Sequence, residues 1–344
     1  MKQLFFSIML LSVFLIACDT NDNNNPNTPC EAHFYTVAAD FWDASVSSYE
    51  VYRYQKSDVL STPDILYSGN PFSIIGGYAL TRANATLDDN ANMYVFTFPG
   101  VSSQEYFKYD AVANTFNRLP LADIFNPEFV NNQLRFLSFS SSDGVNWNFS
   151  IKDENNNIVS QTHSITTSSL LNTGNSNWFQ FLSTTDRQNK LFYLQNTLLL
   201  EYDFTANSWT EYIIDNFDNA NNKVYYRGFE YVGNNSFYAL KGDETDPNNI
   251  ALELVKIDIN GNSVQVNVLK DLTNVLSVSA SDVIGPAQRE WINSTYDACD
   301  NSYYFKVSYM GSVSTRLFEI KLESNTINEN IISNKILYGL NIGQ

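Results

Sequence analysis

The feature that most constrains the fold is a short motif that recurs along the chain with Asn at its sixth position. The five copies are YDAVANTF at 109–116, IKDENNNI at 151–158, YDFTANSW at 202–209, IDINGNSV at 257–264 and IKLESNTI at 320–327. Their shared residues are Asn114, Asn156, Asn207, Asn262 and Asn325. Successive copies begin 42, 51, 55 and 63 residues apart, and a looser relative without the Asn, YRYQKSDVL, occupies 52–60. A period of this length is typical of a repeat architecture.

The recurring Asn has a conformational explanation. A tight corner between two antiparallel strands needs a residue that tolerates a positive φ, and Asn does so better than any residue except Gly. The apolar or aromatic residue two places later then begins the return strand and faces a packed surface. We therefore interpret the five Asn residues as turn formers and not as a set that lines a binding site.

Aromatic strands lie ahead of most corners, at NMYVFTF 92–98, LFYLQNTLLLEY 191–202, SFYAL 236–240 and SYYFKVSY 302–309. Each period then has the order strand, turn, aromatic strand, loop, strand, Asn corner, strand, which is a four-stranded propeller blade. Helix signals are scarce, because apolar residues at helical spacing do not extend beyond about two turns. The sequence predicts an all-β domain over 31–344, a propeller of six four-stranded blades, or seven if a degenerate blade lies between 210 and 250.

Two of the corners support a resemblance to a known repeat. YDAVANTF and YDFTANSW resemble the kelch-type blade corner, in which Tyr-Asp, a turn ending in Asn, and an aromatic residue follow one another. The resemblance implies that the Tyr-Asp strand is the third of its blade and that the aromatic residue begins the outer fourth strand. The chain departs from the kelch pattern in having a Gly-Gly pair only at Gly76 and Gly77, so the likeness is to a divergent kelch-like propeller.

The amino-terminal segment MKQLFFSIMLLSVFLIAC has the layout of a secretory signal, with Lys2, an apolar run from Leu4 to Ile16, and small Ala17. The run is too short for a membrane span, which needs about 20 apolar residues. LIAC resembles the bacterial lipobox, which implies that 1–17 are removed and that Cys18 carries the lipid. The alternative is an ordinary cleaved signal followed by an incidental Cys.

A polar tether follows, since residues 19–29, DTNDNNNPNTP, include no apolar residue that could join a core. Asp19 and Asp22 resemble the acidic surface-export signals of lipoproteins in Bacteroidota-type bacteria, although a plain linker is an equal alternative. We predict an exported protein that is anchored to the outer membrane through Cys18, with 18–30 as tether and possible exposure at the cell surface.

The net charge argues against two classes of partner. The chain has 37 acidic and 20 basic residues, a formal net charge of -17, which repels nucleic-acid phosphates and anionic membrane surfaces. The 21 Tyr and 24 Phe residues could supply a platform for a sugar, although most of them have to pack the blades. The expected partners are therefore a glycan or an envelope protein.

Two cysteines remain after lipidation. Cys30 lies where the tether ends and Cys299 lies near the far end of the chain. An oxidising compartment permits a bond between them, which would fasten the first blade to the last. The alternative is two unrelated buried thiols, because sequence spacing alone does not set their distance.

The search for catalytic motifs is mostly negative. His33 and His163 are the two histidines, both in predicted strands, and we interpret them as solvated or hydrogen-bonded strand residues. No cluster or loop in the sequence has the spacing of a metal or phosphate site, so we expect no cofactor and no metal. Asp143 in SSSDGVNWNF resembles the Asp-box hairpin of sialidase-like propellers, where it forms a turn. The oxygen-rich segments at 214–222 and 242–249 are interpreted as solvated loops and not as calcium sites.

Two functions remain for the sequence. In the first, the propeller binds or scaffolds a glycan or protein without catalysis. In the second, it is a carboxylate-dependent glycoside hydrolase or polysaccharide lyase with its site at the central channel. The absence of a catalytic constellation in the sequence favours binding. Two acidic residues that face each other in the channel would favour the enzyme.

Overall fold

The computed structural model describes residues 32–39, 49–69, 84–97, 105–119, 125–166, 182–195, 198–214, 224–246, 248–284, 293–309, 314–333 and 336–343. These residues belong to one compact unit, Glu31–Gln344. They form six antiparallel sheets of four strands each. The predicted all-β propeller with six blades is confirmed, and the described residues between 210 and 250 belong to two neighbouring blades and not to a seventh.

The first twelve strands are β1 (His33–Ala39), β2 (Tyr49–Gln55), β3 (Asp64–Gly69), β4 (Asn84–Leu87), β5 (Met93–Thr97), β6 (Glu105–Asp110), β7 (Thr115–Leu119), β8 (Phe125–Val130), β9 (Gln133–Ser140), β10 (Asn146–Asp153), β11 (His163–Thr166) and β12 (Leu182–Thr185). The last twelve are β13 (Lys190–Gln195), β14 (Leu198–Asp203), β15 (Ser208–Ile213), β16 (Val224–Gly233), β17 (Ser236–Asp243), β18 (Ala251–Asn260), β19 (Ser263–Asp271), β20 (Asn293–Asp297), β21 (Ser302–Tyr309), β22 (Ser314–Lys321), β23 (Thr326–Ser333) and β24 (Ile336–Gly343).

Blade 1 consists of β24, β1, β2 and β3, in that order from the channel outward. Blades 2 to 6 are β4–β7, β8–β11, β12–β15, β16–β19 and β20–β23. The six innermost strands contact one another in a closed ring, in the order β24, β4, β8, β12, β16, β20 and back to β24. The innermost strand of every blade therefore lines the channel, and in blade 1 this strand is β24.

Helix is minor in the described ranges. A 3-10 turn, Lys56–Asp58, forms the corner of blade 1 that lacks the recurring Asn, and helix α1 (Ala280–Ile284) follows β19. Val283 of α1 packs among buried residues of blades 5 and 6, including Leu252 and Phe305. Within the part of the chain that the structure describes, no helix is both long and apolar enough to cross a membrane.

The recurring motif forms the corner between the third and fourth strands of blades 2 to 6. Four of its Asn residues have a positive φ, at 50° for Asn114, 66° for Asn156, 50° for Asn207 and 56° for Asn325. Asn262 was expected to do the same, but the left-handed residue of that corner is Gly261, with φ of 63°. The reason is that Asn260 pairs with Ser263 across a two-residue turn, in which Gly takes the positive φ without steric penalty.

Aromatic side chains of the second strands hold neighbouring blades together. Phe192 of β13 packs edge-to-face on Phe237 of β17 with ring centroids 4.8 Å apart, and Phe34 of β1 packs on Tyr304 of β21 at 4.9 Å. Buried clusters accordingly draw on two adjacent blades, as in the cluster that joins Phe149 of blade 3 to Leu200 of blade 4. The core of the molecule lies between the blades, which is why the aromatic content is high.

The ring is closed by strand pairing. β24, the last strand that the structure describes, pairs with β1 and forms the channel wall of blade 1. Two hydrogen bonds join blade 6 to Leu337 of β24. The Leu337 carbonyl accepts from the buried Lys306 Nζ at 2.5 Å, and the Leu337 amide donates to Thr315 Oγ1 at 3.1 Å. Lys56 of blade 1 adds ion pairs to Asp297 and Asp300 of blade 6.

Several predictions fall on residues outside the described ranges. The signal at 1–17, the lipidated Cys18, the tether and Cys30 all lie there, so the lipid anchor and the Cys30–Cys299 bond stay predictions. Cys299 itself lies in the turn between β20 and β21, where its amide donates to Asp297 Oδ1 at 2.9 Å. The kelch-like identity also stays a prediction, since the architecture shows a propeller and not its subtype.

Candidate functional site

A cavity of about 320 Å³ occupies the central channel. Every innermost strand contributes to its wall, and so does Arg187 in the turn between β12 and β13. The wall includes two carboxyl groups, Glu128 of β8 and Glu230 of β16. Channels of propellers are a usual place for ligands, because they are concave and bring side chains of all blades together.

Three of the six innermost strands share the same irregularity. The pairing register shifts by one residue in β8, in β16 and between β24 and β1. Each shift contains a residue with positive φ, namely Asn126 at 51°, Gly228 at 57° and Gly339 at 70°. Such a bulge turns the following side chains relative to a regular strand. A polar residue of the cavity wall lies two positions after each of these positive-φ residues. These polar residues are Glu128, Glu230 and Asn341, respectively.

Glycine is required at the β16 bulge. A Cβ on Gly228 would lie 2.2 Å from the Tyr303 hydroxyl oxygen and 3.0 Å from Ser294 Cβ. The Tyr303 hydroxyl donates to the Gly228 carbonyl at 2.5 Å, so the two residues define each other's position. Blade 6 therefore fixes the bulge that carries Glu230 into the channel.

Serine hydroxyls from the next blade hold both carboxyl groups. Ser183 Oγ of β12 donates to Glu128 Oε1 at 2.6 Å, and Ser294 Oγ of β20 donates to Glu230 Oε1 at 2.5 Å. In both cases an odd-numbered blade supplies the acid and the following blade supplies the hydroxyl. The two carboxyl groups are thus positioned in the same way on two different strands.

Burial raises the pKa of both carboxyl groups to neutral pH or slightly above it. Desolvation raises the pKa of Glu128 to about 7, although the Ser183 hydrogen bond and the charge of Arg187 oppose the rise. Desolvation raises the pKa of Glu230 to about 8, and the neighbouring charge of Glu128 contributes to that rise. The ionisation of Glu230 therefore depends on the charge of Glu128.

Arg187 of blade 4 contacts blades 2 and 3. Its Nη1 lies 3.3 Å from Asp89 Oδ1 in the first turn of blade 2, although Arg187 belongs to blade 4. Its carbonyl accepts from the Asn131 amide of blade 3 at 2.8 Å. Both charged side chains are more than half exposed, so the ion pair is screened by water and can open.

The third bulged strand departs from the other two. Asn341 takes the position of the glutamates, and its Nδ2 is buried without a hydrogen-bond partner among the described residues. Ala85 of blade 2 lies against the Gly339 bulge, where a Cβ on Gly339 would come within 2.5 Å of Ala85 Cβ. Since Ser294 lies against Gly228 in the same way, Ala85 stands where the other two pairs of blades have a serine. The third position consequently has no matching hydroxyl.

The wall offers proton donors and acceptors but no nucleophile with a base beside it. The cavity wall has neither His nor Cys among its described residues, and those residues include no group of three or more metal-ligating His, Cys, Asp or Glu side chains. Two carboxyl groups that hold protons near pH 7 can exchange them with a ligand. The arrangement is suited to binding a polar or charged group or to carboxyl acid–base chemistry.

The residues singled out in the sequence lie elsewhere. The Asn corners lie between third and fourth strands, away from the channel wall. His33 begins β1, and His163 on the outer strand β11 bonds Glu211 of blade 4 at 2.7 Å. Asp143 is exposed and accepts from the Val145 and Asn146 amides at 2.8 and 2.7 Å, which is the geometry of a turn former.

Sequence reasoning missed the three channel residues, although a signal exists. The segments FNPEF at 125–129, RGFEY at 227–231 and YGLNI at 338–342 share Asn or Gly at the second position and Glu or Asn at the fourth. They recur at every second blade and not at every blade. A search for a period of one blade, which finds the Asn corners, therefore passes over them.

Comparison with known proteins supports the fold alone. The chain is similar to TolB from Acinetobacter baumannii, with a TM-score of 0.53 and 10% identity, over 90% of this chain and 66% of that one. It thus spans slightly less than two thirds of the TolB chain. A second solved structure, the periplasmic gluconolactonase PpgL of Pseudomonas aeruginosa, has a TM-score of 0.47 and 9% identity over 90% and 99% of the two chains. No protein-family model and no curated protein matches the sequence.

Proposed function

We propose that the protein is an exported, lipid-anchored propeller of the bacterial cell envelope that binds a glycan or protein partner without catalysis. The observation that carries the proposal is the channel cavity, where all six innermost strands meet and where Glu128 and Glu230 face one space. The signal sequence and the lipobox-like LIAC support export and an anchor at Cys18. The anchor would be tested by mass spectrometry of the amino-terminal peptide.

The state of the two carboxyl groups favours binding over catalysis. A glycoside hydrolase needs one carboxylic acid and one carboxylate, with environments that push the two pKa values apart. Here burial raises the pKa of both groups, and a serine hydroxyl bonds each of them. Neither group is therefore set apart as an ionised nucleophile or base.

A carboxylate-dependent glycoside hydrolase or polysaccharide lyase is the second candidate. It is favoured by the presence of two carboxyl groups in one cavity, each with a pKa in the range of a general acid. The same pair thus serves both candidates, and the experiment has to separate binding from turnover.

The test is a screen of glycans and peptides for binding and for hydrolysis, using wild type, Glu128→Gln and Glu230→Gln. Asp143→Asn is the matched control, because Asp143 is exposed in a turn outside the cavity. Binding that is weakened in the two Gln variants, with no turnover, supports the proposal. Turnover that either Gln variant abolishes establishes the enzyme instead, and failure to bind any glycan or peptide overturns both candidates.

A further inference from the structure

Three polar side chains converge on the channel from alternate blades. Glu128, Glu230 and Asn341 follow equivalent bulges in blades 3, 5 and 1, and all three lie on the cavity wall. Given the proposed function of the channel as a binding site, we propose that it takes a primary ammonium group, whose three N–H bonds are accepted by these three side chains.

The spacing of the blades matches the donor geometry of an ammonium. Alternate members of a six-bladed ring are separated by about 120° around the axis. A primary ammonium carries three equivalent N–H donors arranged around its C–N bond and has no acceptor. The guanidinium group is instead a flat fork that matches one carboxylate from the side. Three acceptors placed around an axis therefore select the ammonium.

The two carboxyl groups of the wall are available to a cation, because the one guanidinium there, Arg187, is paired with Asp89. The titratable and charged groups that face the cavity are Glu128, Arg187, Glu230, Tyr231 and Tyr296, with Tyr193 and Tyr303 behind it. Arg187 bonds Asp89, and the hydrogen-bond partners that the two carboxyl groups have are serine hydroxyls. The charge of Glu128 raises the pKa of Glu230, so a cation that contacts both carboxyl groups favours their ionised forms.

Asn341 completes the set. An amide in the third position offers an oxygen acceptor without adding a third negative charge, which a single ammonium could not neutralise. The buried Nδ2 lies beside Gly339, at 3.3 Å from the position of a Cβ there, so the bulge orients the amide. The wall then presents two carboxyl groups and one neutral acceptor to a ligand of charge +1.

Protons leave the site when the ammonium enters. In the free protein at pH 7 the pair holds protons, because the pKa of Glu128 is raised to about 7 and that of Glu230 to about 8. An ammonium between them favours both carboxylates, so each O–H that ionises releases its proton to the solvent while the ligand keeps its own charge. We expect release of about one proton per ligand at pH 7.

Isothermal titration calorimetry of the mature protein tests the proposal at pH 7 in phosphate and in HEPES, whose ionisation enthalpies differ. The probes are Nα-acetyl-lysinamide and glucosamine, which carry one ammonium on a peptide-like or a sugar scaffold, with n-butylguanidine, glucose and n-butanol as comparisons. We expect binding of at least one of the two ammonium probes, proton release of about one, and affinity at least tenfold above n-butylguanidine and the neutral probes. Whichever of Nα-acetyl-lysinamide and glucosamine binds more strongly identifies the scaffold.

Variants locate the site. Glu128→Gln, Glu230→Gln and Asn341→Leu should each weaken ammonium binding at least tenfold, and Asp143→Asn should leave it unchanged. Proton release is measured on the wild-type protein. The proposal can therefore still be tested if a variant does not fold. Binding of neutral glycans without proton release, or ammonium binding that the Gln variants leave intact, overturns the ammonium site while the proposed binding function stands. If no glycan, peptide or amine binds, both proposals are overturned.

Discussion

Gly228 and Tyr303 exclude any side chain between them. The Tyr303 hydroxyl lies where a Cβ of residue 228 would be, within 2.2 Å, and it donates to the carbonyl of the same glycine. The contact joins blade 5 to blade 6 directly behind Glu230. The orientation of a channel carboxyl group therefore depends on a tyrosine of the neighbouring blade.

Gly228→Ala should lower the free energy of unfolding by about 2–4 kcal/mol, because the residue has a positive φ and its Cβ would overlap the tyrosine oxygen. The matched control is Gly144→Ala, since Gly144 also has a positive φ but nothing lies within 4 Å of its Cβ, and we expect a loss of about 1 kcal/mol. Urea denaturation measures both. Tyr303→Phe in the Gly228→Ala background should restore part of the loss, and equal losses at 228 and 144 would contradict the steric account.

The channel glutamates should make the protein less stable as pH rises. Their folded pKa values, about 7 and about 8, lie above the ordinary value of 4.5, so the folded state binds more protons across that interval. Stability is therefore highest near pH 4.5 from these groups and falls until pH exceeds 8. Glu128→Gln and Glu230→Gln should each remove part of the fall and stabilise the protein at pH 8.5 by about 1–2 kcal/mol. Unfolding curves from pH 4.5 to 8.5 that keep the wild-type slope in both variants would rule this out.

Lys306 should have the opposite effect at higher pH. Burial lowers the pKa of its amine from 10.5 to about 7, so the unfolded state binds more protons between these values and stability rises with pH. Lys306→Met should abolish that rise and stabilise the protein by about 1–3 kcal/mol at pH 7 or below. Lys321→Met is the control, because Lys321 is exposed on the same blade, and it should leave the slope unchanged. Thermal unfolding between pH 6 and 10 provides the measurement.

Trp209 should contribute to the contact between blades 3 and 4. Its Nε1 donates to the Gln161 carbonyl at 2.8 Å and its ring stacks on His163 at 5.7 Å. Trp209→Phe keeps an aromatic ring but loses the donor, so we expect a loss of about 1–2 kcal/mol in urea denaturation. Gln161→Ala retains the accepting carbonyl and should lose little. A comparable loss in both variants would show that the hydrogen bond is not the cause.

The Cys30–Cys299 bond can be tested by peptide mapping without reductant. We expect a linked peptide pair, and Cys299→Ser should leave Cys30 as a free thiol. The closed loop would stabilise the protein by about 2–5 kcal/mol. Two free thiols in protein from an oxidising compartment would instead assign closure of the ring to the pairing of β24 with β1 alone.

Local patterns predicted the repeat and not the site. A hairpin corner is formed by residues that are adjacent in sequence. The turns at Asn114 and Asn207 could therefore be predicted from a short stretch of sequence. The sequence does not decide which residue has the positive φ when a corner contains both Gly and Asn. In the corner of blade 5 that residue is Gly261, where Asn262 was expected. The aromatic strands were equally readable, because they alternate with turns at blade spacing.

Glu128 and Glu230 could not be recognised in this way, because their role depends on non-local contacts. Each acid meets a serine of the following blade, 55 residues away for Ser183 and 64 for Ser294. The direction of each side chain also depends on a bulge. The alternation of apolar and polar residues along a strand does not reveal where a bulge lies. The pairing of β24 with β1 is likewise a contact between chain ends, which sequence spacing does not reveal.

The position of β24 has a consequence for biosynthesis. β24 is also the inner wall of the first blade, so the ring stays open until residue 343 is available. Asn341 belongs to that strand, and the cavity wall is incomplete without it. Removal of β24 therefore takes away both the strand that closes the ring and one wall of the cavity, so closure of the first blade has to follow synthesis of β24.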